Sequence, residues 1–203
     1  TLAEALAHAH SAGILHRDLK PENVMLRADG IPILIDFGLA LELDLSMSQR
    51  LSTSGAVMGT PGYFAPEQVR GERKLVSERT DGYGLGGVLY AALTQEPPIA
   101  ADSFLEIVVA TADKVPVAPS TLRDDGISAE LDAICLRCLE KAQADRYGSA
   151  ADLADDDGRA KAIGSLVWAS TFGTVLGPAI GLGPAPRAAD LIGLPPQIGR
   201  AHV

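Results

Sequence analysis

Two polar stretches, and the spacing between them, constrain the fold of this chain more than any other feature. The first is His16–Asn23, which contains an acid, a cation and an amide within eight residues, and the second begins at Asp36. The intervening residues have the composition of a strand, a turn and a second strand: Val24–Leu26, Ala28–Gly30 and Ile31–Ile35. We therefore predict a two-stranded ribbon that brings Asn23 and Asp36 to the same end.

The residue types in these stretches suit the transfer of a phosphoryl group. Asp18 can accept or orient a proton, and Lys20 can neutralise a phosphate oxygen. Asn23 and Asp36 carry side-chain oxygens that can hold a metal ion. Because catalysis of phosphoryl transfer consists mostly of positioning and charge neutralisation, these side chains indicate a base, a phosphate contact and a two-residue metal site.

Composition and charge narrow the class of protein. The formal net charge is −9, from 17 basic and 26 acidic residues, and there is no long basic run. Nucleic acid is therefore not expected as a partner, since binding to a phosphate backbone needs clustered Lys and Arg. The only two cysteines, Cys135 and Cys138, are too few for a disulfide framework, which favours a reducing compartment. Their helical spacing among apolar residues predicts core packing rather than a metal site.

The string His16–Asn23, followed by Asp36-Phe37-Gly38, resembles the catalytic and metal-binding loops of protein kinases. Three later segments resemble the end of the kinase activation segment, the central buried helix of the large lobe and the helix that closes that lobe: Gly59–Glu67, Asp81–Tyr90 and Leu131–Tyr147. The motifs occur in the family order over residues 1 to about 155, and they cover only the large, C-terminal lobe. The resemblance, which is to bacterial serine/threonine protein kinases, implies a mainly α fold of the α+β class with a small β-ribbon.

The resemblance implies a role for each matching residue of the two loops. Asp18 is expected to orient the substrate hydroxyl and accept its proton, and Lys20 is expected to contact the transferred phosphate. Asn23 and Asp36 are expected to hold the Mg²⁺ that bridges the phosphates of ATP. ATP and Mg²⁺ are thus the expected cofactors.

Seven further residues are expected to have structural roles: His16, Arg17, Phe37, Gly38, Glu67, Asp81 and Arg146. His16 and Phe37 are expected to align the two loops by packing. Glu67 is expected to pair with Arg146 in the interior of the lobe. Losing one partner of such a buried pair typically costs about 3–5 kcal/mol.

Two features indicate serine or threonine as the phosphate acceptor. Lys20 lies two residues after Asp18, and Thr60 lies within Gly-Thr-Pro-Gly-Tyr. This combination resembles serine/threonine kinases rather than tyrosine kinases. Proteins that present Ser or Thr are therefore the expected substrates.

The expected activation segment contains candidate sites of phosphorylation. Arg17 precedes Asp18, an arrangement used where a phosphorylated activation loop needs a cationic partner. We hypothesise that one of Ser52, Thr53 and Ser54 is autophosphorylated. The alternative is a solvated loop in which these residues are ordinary turn residues.

Two departures from the kinase pattern lead to further expectations. The small lobe of the family supplies a glycine-rich loop, a strand lysine and a helix glutamate, and these are expected to be missing because the chain starts just before the catalytic loop. We accordingly expect no kinase activity from this chain alone.

The central helix is also crowded with glycines, namely Gly82, Gly84, Gly86 and Gly87. An interior helical glycine costs roughly 0.5–1 kcal/mol, so this density predicts weakened packing or a sequence error.

Two other functions stay open at the level of sequence. One is a lobe without catalysis that acts as a scaffold or signalling module, which the missing part of the ATP site would favour. The other is a small-molecule phosphotransferase, which shares the order of base, amide and carboxylate. Enzymes of the second kind do not normally carry a segment like Gly59–Glu67.

The C-terminal part of the chain has a different composition. Residues 1–155 are expected to form the kinase lobe and 156–203 a hydrophobic tail, in which 163–182 is a nearly continuous apolar run. Because about 20 apolar residues can cross a bilayer, one interpretation is a transmembrane helix that anchors a cytoplasmic kinase lobe. In the other interpretation, the sequence from about residue 151 is foreign, since it resembles a helix of a major-facilitator transporter.

Overall fold

The computed structural model describes residues 1–37, 61–123 and 127–156, and within these ranges the chain is mainly helical. The helices are α1 (Leu2–Ser11), α2 (Pro66–Val69), α3 (Glu78–Thr94), α4 (Phe104–Asp113), α5 (Pro119–Leu122), α6 (Ala129–Cys138) and α7 (150–156). Short 3₁₀ turns occur at Pro21–Asn23, Pro61–Tyr63, Arg73–Leu75 and Gln143–Asp145. A two-stranded ribbon of β1 (Val24–Leu26) and β2 (Pro32–Leu34) completes the described elements.

Several sequence predictions fall outside these ranges. They concern Gly38, Ser52, Thr53, Ser54, Thr60 and the apolar run over 163–182. Among the helices that the structure describes, none combines the length and apolar character needed to cross a bilayer.

The ribbon forms where the sequence predicts it. β1 and β2 are antiparallel, with Val24 opposite Leu34 and Leu26 opposite Pro32. Gly30 has φ +80°, which glycine adopts at little cost, and it lies in the turn between the strands. Beyond the ladder, the N–H of Ile35 donates to the carbonyl of Asn23 over 3.0 Å. Asn23 and Asp36 therefore lie at the same end of the ribbon, which confirms that prediction.

α3 is the central element of the described lobe, and most of its residues are buried. It packs against α1, α5, α6 and the Pro61–Tyr63 turn. At its start the N–H of Ser77 donates to Oγ1 of Thr80 over 3.0 Å, and at its end Gln95 adopts the left-handed conformation with φ 66°. A helix that is covered on nearly every side can do without an amphipathic pattern, since burial supports all of its faces.

The glycines of α3 lie where other parts of the lobe come closest. A Cβ atom on Gly86 would lie 2.3 Å from Cβ of Cys138, and one on Gly84 would lie 2.8 Å from Cβ of Leu19. A Cβ atom on Gly82, in contrast, would meet nothing within 4 Å. The expectation of weakened packing is thus corrected. Gly84 and Gly86 allow α6 and the His16–Asn23 stretch to approach the helix backbone closely.

The segment expected to close the lobe, Leu131–Tyr147, is helical over only part of its length. α6 ends at Cys138, and the chain then continues through non-helical residues and the Gln143–Asp145 turn. Arg146 explains the difference, because its guanidinium binds the carbonyls of Glu140 and Lys141 at 2.8 and 3.1 Å. These carbonyls point to a buried side chain instead of continuing a helical ladder.

Both cysteines lie in the core, as their spacing predicts. Cys135 is 0% exposed and Cys138 is 2% exposed. Burial raises the pKa of the Cys135 thiol well above its usual value, with smaller contributions from the neighbouring Cys138 and Asp132. The thiol therefore stays protonated and packs as a small apolar group.

Candidate active site

Asp81, in the first turn of α3, holds the start of the His16–Asn23 stretch. Its carboxylate is 1% exposed and accepts hydrogen bonds from the backbone N–H groups of His16 at 2.8 Å and Arg17 at 2.6 Å. Nε2 of His10, on α1, donates a third bond to it over 2.8 Å. A buried carboxylate is tolerated only when its oxygens are paired in this way. The three bonds join α1, α3 and the loop into one unit.

Two residues of the candidate site have strained backbones. Arg17 has φ 66° and Asp36 has φ 55°, although neither is glycine. Such left-handed conformations cost on the order of 1–3 kcal/mol and persist only where the surroundings enforce them. At Arg17 the N–H is bound to Asp81, as described above, and the carbonyl accepts from Nε2 of Gln68 over 2.7 Å. The local conformation before Asp18 is therefore imposed by tertiary contacts.

His16 connects the two polar stretches. The residue is 0% exposed, and its Nε2 donates to the carbonyl of Ile35 over 3.0 Å. Its ring also packs against Phe37, with the ring centroids 4.7 Å apart. One side chain thereby contacts the residues on both sides of Asp36. The aligning role of His16 and Phe37 stays a prediction.

Asp18, Lys20 and Asn23 converge on one point. Nζ of Lys20 lies 2.9 Å from Oδ2 of Asp18, in an ion pair whose two side chains are 19% and 30% exposed. Nδ2 of Asn23 donates to the Asp18 carbonyl over 2.7 Å and lies 3.3 Å from Oδ2 of the same residue. The arrangement fixes the Asp18 carboxylate beside a cation while leaving it open to solvent.

The donor set at the end of the ribbon fits a magnesium ion. Asn23 is 6% exposed and has its Nδ2 turned toward Asp18, so its amide oxygen is the atom suited to a cation. Asp36 is exposed and adds a carboxylate at the same end of the ribbon. The described residues contain no cluster of three or more His, Cys, Asp or Glu able to hold a metal. A small number of protein ligands is enough for Mg²⁺, because the ion keeps several waters and also binds substrate phosphates.

The Glu67–Arg146 pair lies inside the lobe, as the resemblance to protein kinases implies. Nη1 and Nη2 of Arg146 bind the two Glu67 carboxylate oxygens at 2.8 and 2.9 Å, and each residue is 3% exposed. The hydroxyl of Thr80 donates to Glu67 over 2.8 Å, and Arg146 also stacks over the ring of Tyr83. Burial opposes ionisation of Glu67, but the hydrogen bonds and charge of Arg146 outweigh it and lower the pKa of the carboxyl.

Two residues of this region were missed from the sequence alone. One is His10, which is buried against Asp81. Its burial could have been predicted, because Leu2, Leu6 and His10 lie along one face of α1. Gln68, which binds the Arg17 carbonyl, carries no such signal. Its contact joins positions that are 51 residues apart in the chain.

The chain matches the model of the protein kinase domain over residues 1–156. It belongs to this family. Serine/threonine-protein kinase PknB of Mycobacterium tuberculosis is 40% identical over 153 residues, which cover 75% of this chain and 24% of that protein. A probable serine/threonine-protein kinase of Streptomyces coelicolor is 40% identical over 155 residues, covering 76% of this chain and 22% of the relative. This kinase chain thus spans about a quarter of the length of the curated relatives that it matches.

A solved structure has the same fold as the described part of this chain. Rad53 1-466, in a crystal structure with AMP-PNP, matches with a TM-score of 0.59 and 27% identity, over 76% of this chain and 36% of that one. The described part of this kinase chain accordingly has a protein kinase fold, mostly helical with a small two-stranded sheet.

Proposed function

We propose that this chain is the large-lobe part of an enzyme that transfers the γ-phosphoryl group of ATP to serine or threonine residues of proteins. The observation that carries the proposal is the convergence of Lys20 and Asn23 on Asp18, at the ribbon end that also holds Asp36. The names of the relatives, all serine/threonine-protein kinases, support the choice of acceptor.

Each side chain has a task that its position permits. Asp18, partly exposed and oriented by Asn23, orients the substrate hydroxyl and accepts its proton. Lys20 neutralises charge on the transferred phosphate, since its ammonium lies beside the Asp18 carboxylate. Asn23 and Asp36 hold Mg²⁺ through their oxygens. When bound, the ion would neutralise charge on the phosphates of ATP.

Arg17 is proposed as the partner of a phosphorylated activation segment. Within the part of the chain that the structure describes, its buried Nε has no hydrogen-bond partner. A buried guanidinium N–H without a partner is costly, and a phosphate group would satisfy it. Phosphorylation at Ser52, Thr53 or Ser54 remains our proposal for the source of that phosphate, and Thr60 remains assigned to the same segment.

The two alternatives make different demands on these residues. A scaffold without catalysis has no need of a base, a phosphate contact and metal ligands together. A small-molecule phosphotransferase would use the same groups, but Glu67 and the Pro61–Tyr63 turn belong to a segment that such enzymes do not normally carry. We therefore favour the protein kinase, and we propose that this chain alone is inactive because the family completes its ATP site with a second lobe.

The tail and the cellular location are proposed on the sequence only. A kinase lobe works where ATP and its protein substrates are, so we assign residues 1–155 to the cytoplasm. The apolar run over 163–182 is either a membrane anchor for this lobe or foreign sequence. Long-read sequencing of the gene would decide between the two. An uninterrupted reading frame through the codons for residues 146–156 would support the anchor, and a gene that lacks this junction would support the foreign origin.

The test of the function uses the intact protein that carries this chain. It would be incubated with γ-labelled ATP, Mg²⁺ and a general kinase substrate such as casein, and the labelled amino acids would be separated after hydrolysis. We expect label on serine or threonine and none on tyrosine. Label found only on small molecules would support the phosphotransferase, and a folded protein that transfers no label would support the scaffold.

A further inference from the structure

We propose that Gln68 is a positioning residue for Asp18, a role that rests on the proposed phosphotransfer and deepens it. Gln68 lies in α2, directly after Glu67. Its Nε2 donates to the Arg17 carbonyl over 2.7 Å, and its Oε1 accepts from the N–H of Ala65 over 3.0 Å. Both ends of one amide side chain are thus in use.

The bond to Arg17 acts on the peptide group that leads into Asp18. The Arg17 carbonyl belongs to the Arg17–Asp18 peptide, while the Arg17 N–H is bound by Asp81 on the other side. Two rigid elements, α2 and α3, therefore hold a residue whose φ of 66° is unfavourable. Loss of the bond from Gln68 would remove one of the two contacts that hold this strained residue on its two sides.

The second bond fixes the direction of the Gln68 amide. Because Oε1 accepts from Ala65, the donor Nε2 is the atom directed at the Arg17 carbonyl. Ala65 precedes α2 and follows the Pro61–Tyr63 turn, which belongs to the end of the expected activation segment. Gln68 consequently links the conformation of that segment to the backbone of the candidate catalytic loop.

The chain offers a matched control for this role. Gln143 has the same pattern of bonds, with Nε2 donating to the Leu75 carbonyl over 2.8 Å and Oε1 accepting from the Ser77 hydroxyl over 3.1 Å. These bonds join two segments of the lobe that do not include the catalytic loop. Gln143→Glu and Gln68→Glu therefore remove the same kind of donor while keeping the acceptor.

The kinetic test compares these two variants in the intact protein. We expect Gln68→Glu to lower kcat by about tenfold to a hundredfold, because small displacements of catalytic groups have effects of this size. KM for ATP should stay within about twofold, since Asp18 acts on the reacting hydroxyl and not on nucleotide binding. Gln143→Glu should leave kcat within about twofold of wild type. Equal kcat values for the two variants would overturn the proposal.

A second readout separates this proposal from the function itself. Arg-Asp occurs twice in the sequence, as Arg17-Asp18 and Arg123-Asp124, so carbonyl-labelled Arg and ¹⁵N-labelled Asp give two assignable NMR signals. In the 203-residue chain, Gln68→Glu should shift the Arg17–Asp18 signal and leave the other in place, whereas Gln143→Glu should move neither. An unmoved Arg17–Asp18 signal in the Gln68 variant contradicts the positioning role, even if the wild-type enzyme proves inactive.

Discussion

Two groups of polar and charged side chains lie in opposite environments in the described part of this chain. In the buried anchor (Glu67, Asp81 and Arg146), every charged group is at most 3% exposed and bound by several partners. In the candidate catalytic edge (Asp18, Lys20, Asn23 and Asp36), the carboxylates of Asp18 and Asp36 are open to solvent. Asp18 follows the strained Arg17, and Asp36 is itself strained. The difference indicates that losing one member of the anchor would destabilise the lobe and that the edge is left available for chemistry.

We expect the largest effect on the free energy of unfolding from a substitution in the buried anchor. Arg146→Met leaves the Glu67 carboxylate buried without its cation, and we expect a loss of about 3–5 kcal/mol in the free energy of unfolding. Urea denaturation followed by circular dichroism would measure it. Arg146→Lys, which keeps the charge but loses the paired contact, should lie between this variant and wild type and serves if the first does not fold.

The matched control for the anchor is an exposed ion pair. Arg27 and Asp29 pair at 3.0 Å in the ribbon turn, with side chains 58% and 46% exposed. Arg27→Met should change the free energy of unfolding by less than about 1 kcal/mol, because exposed pairs contribute little. Similar losses for Arg27→Met and Arg146→Met would contradict the role given to the buried anchor.

A smaller effect distinguishes the glycines of α3. Gly86→Ala places a methyl group against Cβ of Cys138, and overpacking of this kind typically costs about 1–3 kcal/mol. Gly82→Ala meets open space, so the gain in helix propensity should stabilise the chain by roughly 0.5–1 kcal/mol. Thermal and urea unfolding of both variants would show opposite signs. Stabilisation by both would mean that α3 is loosely packed after all.

The smallest effect is a pH dependence from Lys141, which borders the anchor. Burial, together with the nearby charge of Arg146, lowers the pKa of the Lys141 ammonium from 10.5 to about 8. Between these values the unfolded chain binds the proton and the folded chain does not, so stability should rise with pH from about 8 to 10. In Lys141→Met this rise should be reduced, whereas Lys74→Met, which removes an exposed lysine, should preserve it. An unchanged slope in Lys141→Met would show that the ammonium remains solvated.

The sequence predicted the two-stranded ribbon because the determinants of the ribbon are local. The ribbon, its turn at Gly30 and the position of Asn23 and Asp36 at the same end follow from strand and turn composition within one short segment. The pairing of Glu67 with Arg146 spans 79 residues, and only the family resemblance allowed it to be expected.

Other features depend on tertiary packing and could not be predicted in the same way. The early end of α6 results from Arg146 binding the carbonyls that follow it. The tolerance of α3 for Gly84 and Gly86 results from the close approach of Leu19 and Cys138. The contact of Gln68 with the Arg17 carbonyl likewise exists only once α2 has docked beside the loop.

Our central proposal is that Asp18, in the candidate catalytic edge, takes part in phosphoryl transfer and contributes little to stability. Single-turnover transfer from labelled ATP to a serine-containing protein, measured for the intact wild-type protein and for Asp18→Asn, tests it most directly. The matched control is Asp29→Asn in the exposed ribbon turn. We predict a loss of about 10²–10⁴-fold for Asp18→Asn, the range typical of a lost general base, with an unchanged midpoint of urea unfolding and wild-type transfer by Asp29→Asn. Transfer by Asp18→Asn at the wild-type rate, or a loss explained by unfolding, would contradict the account.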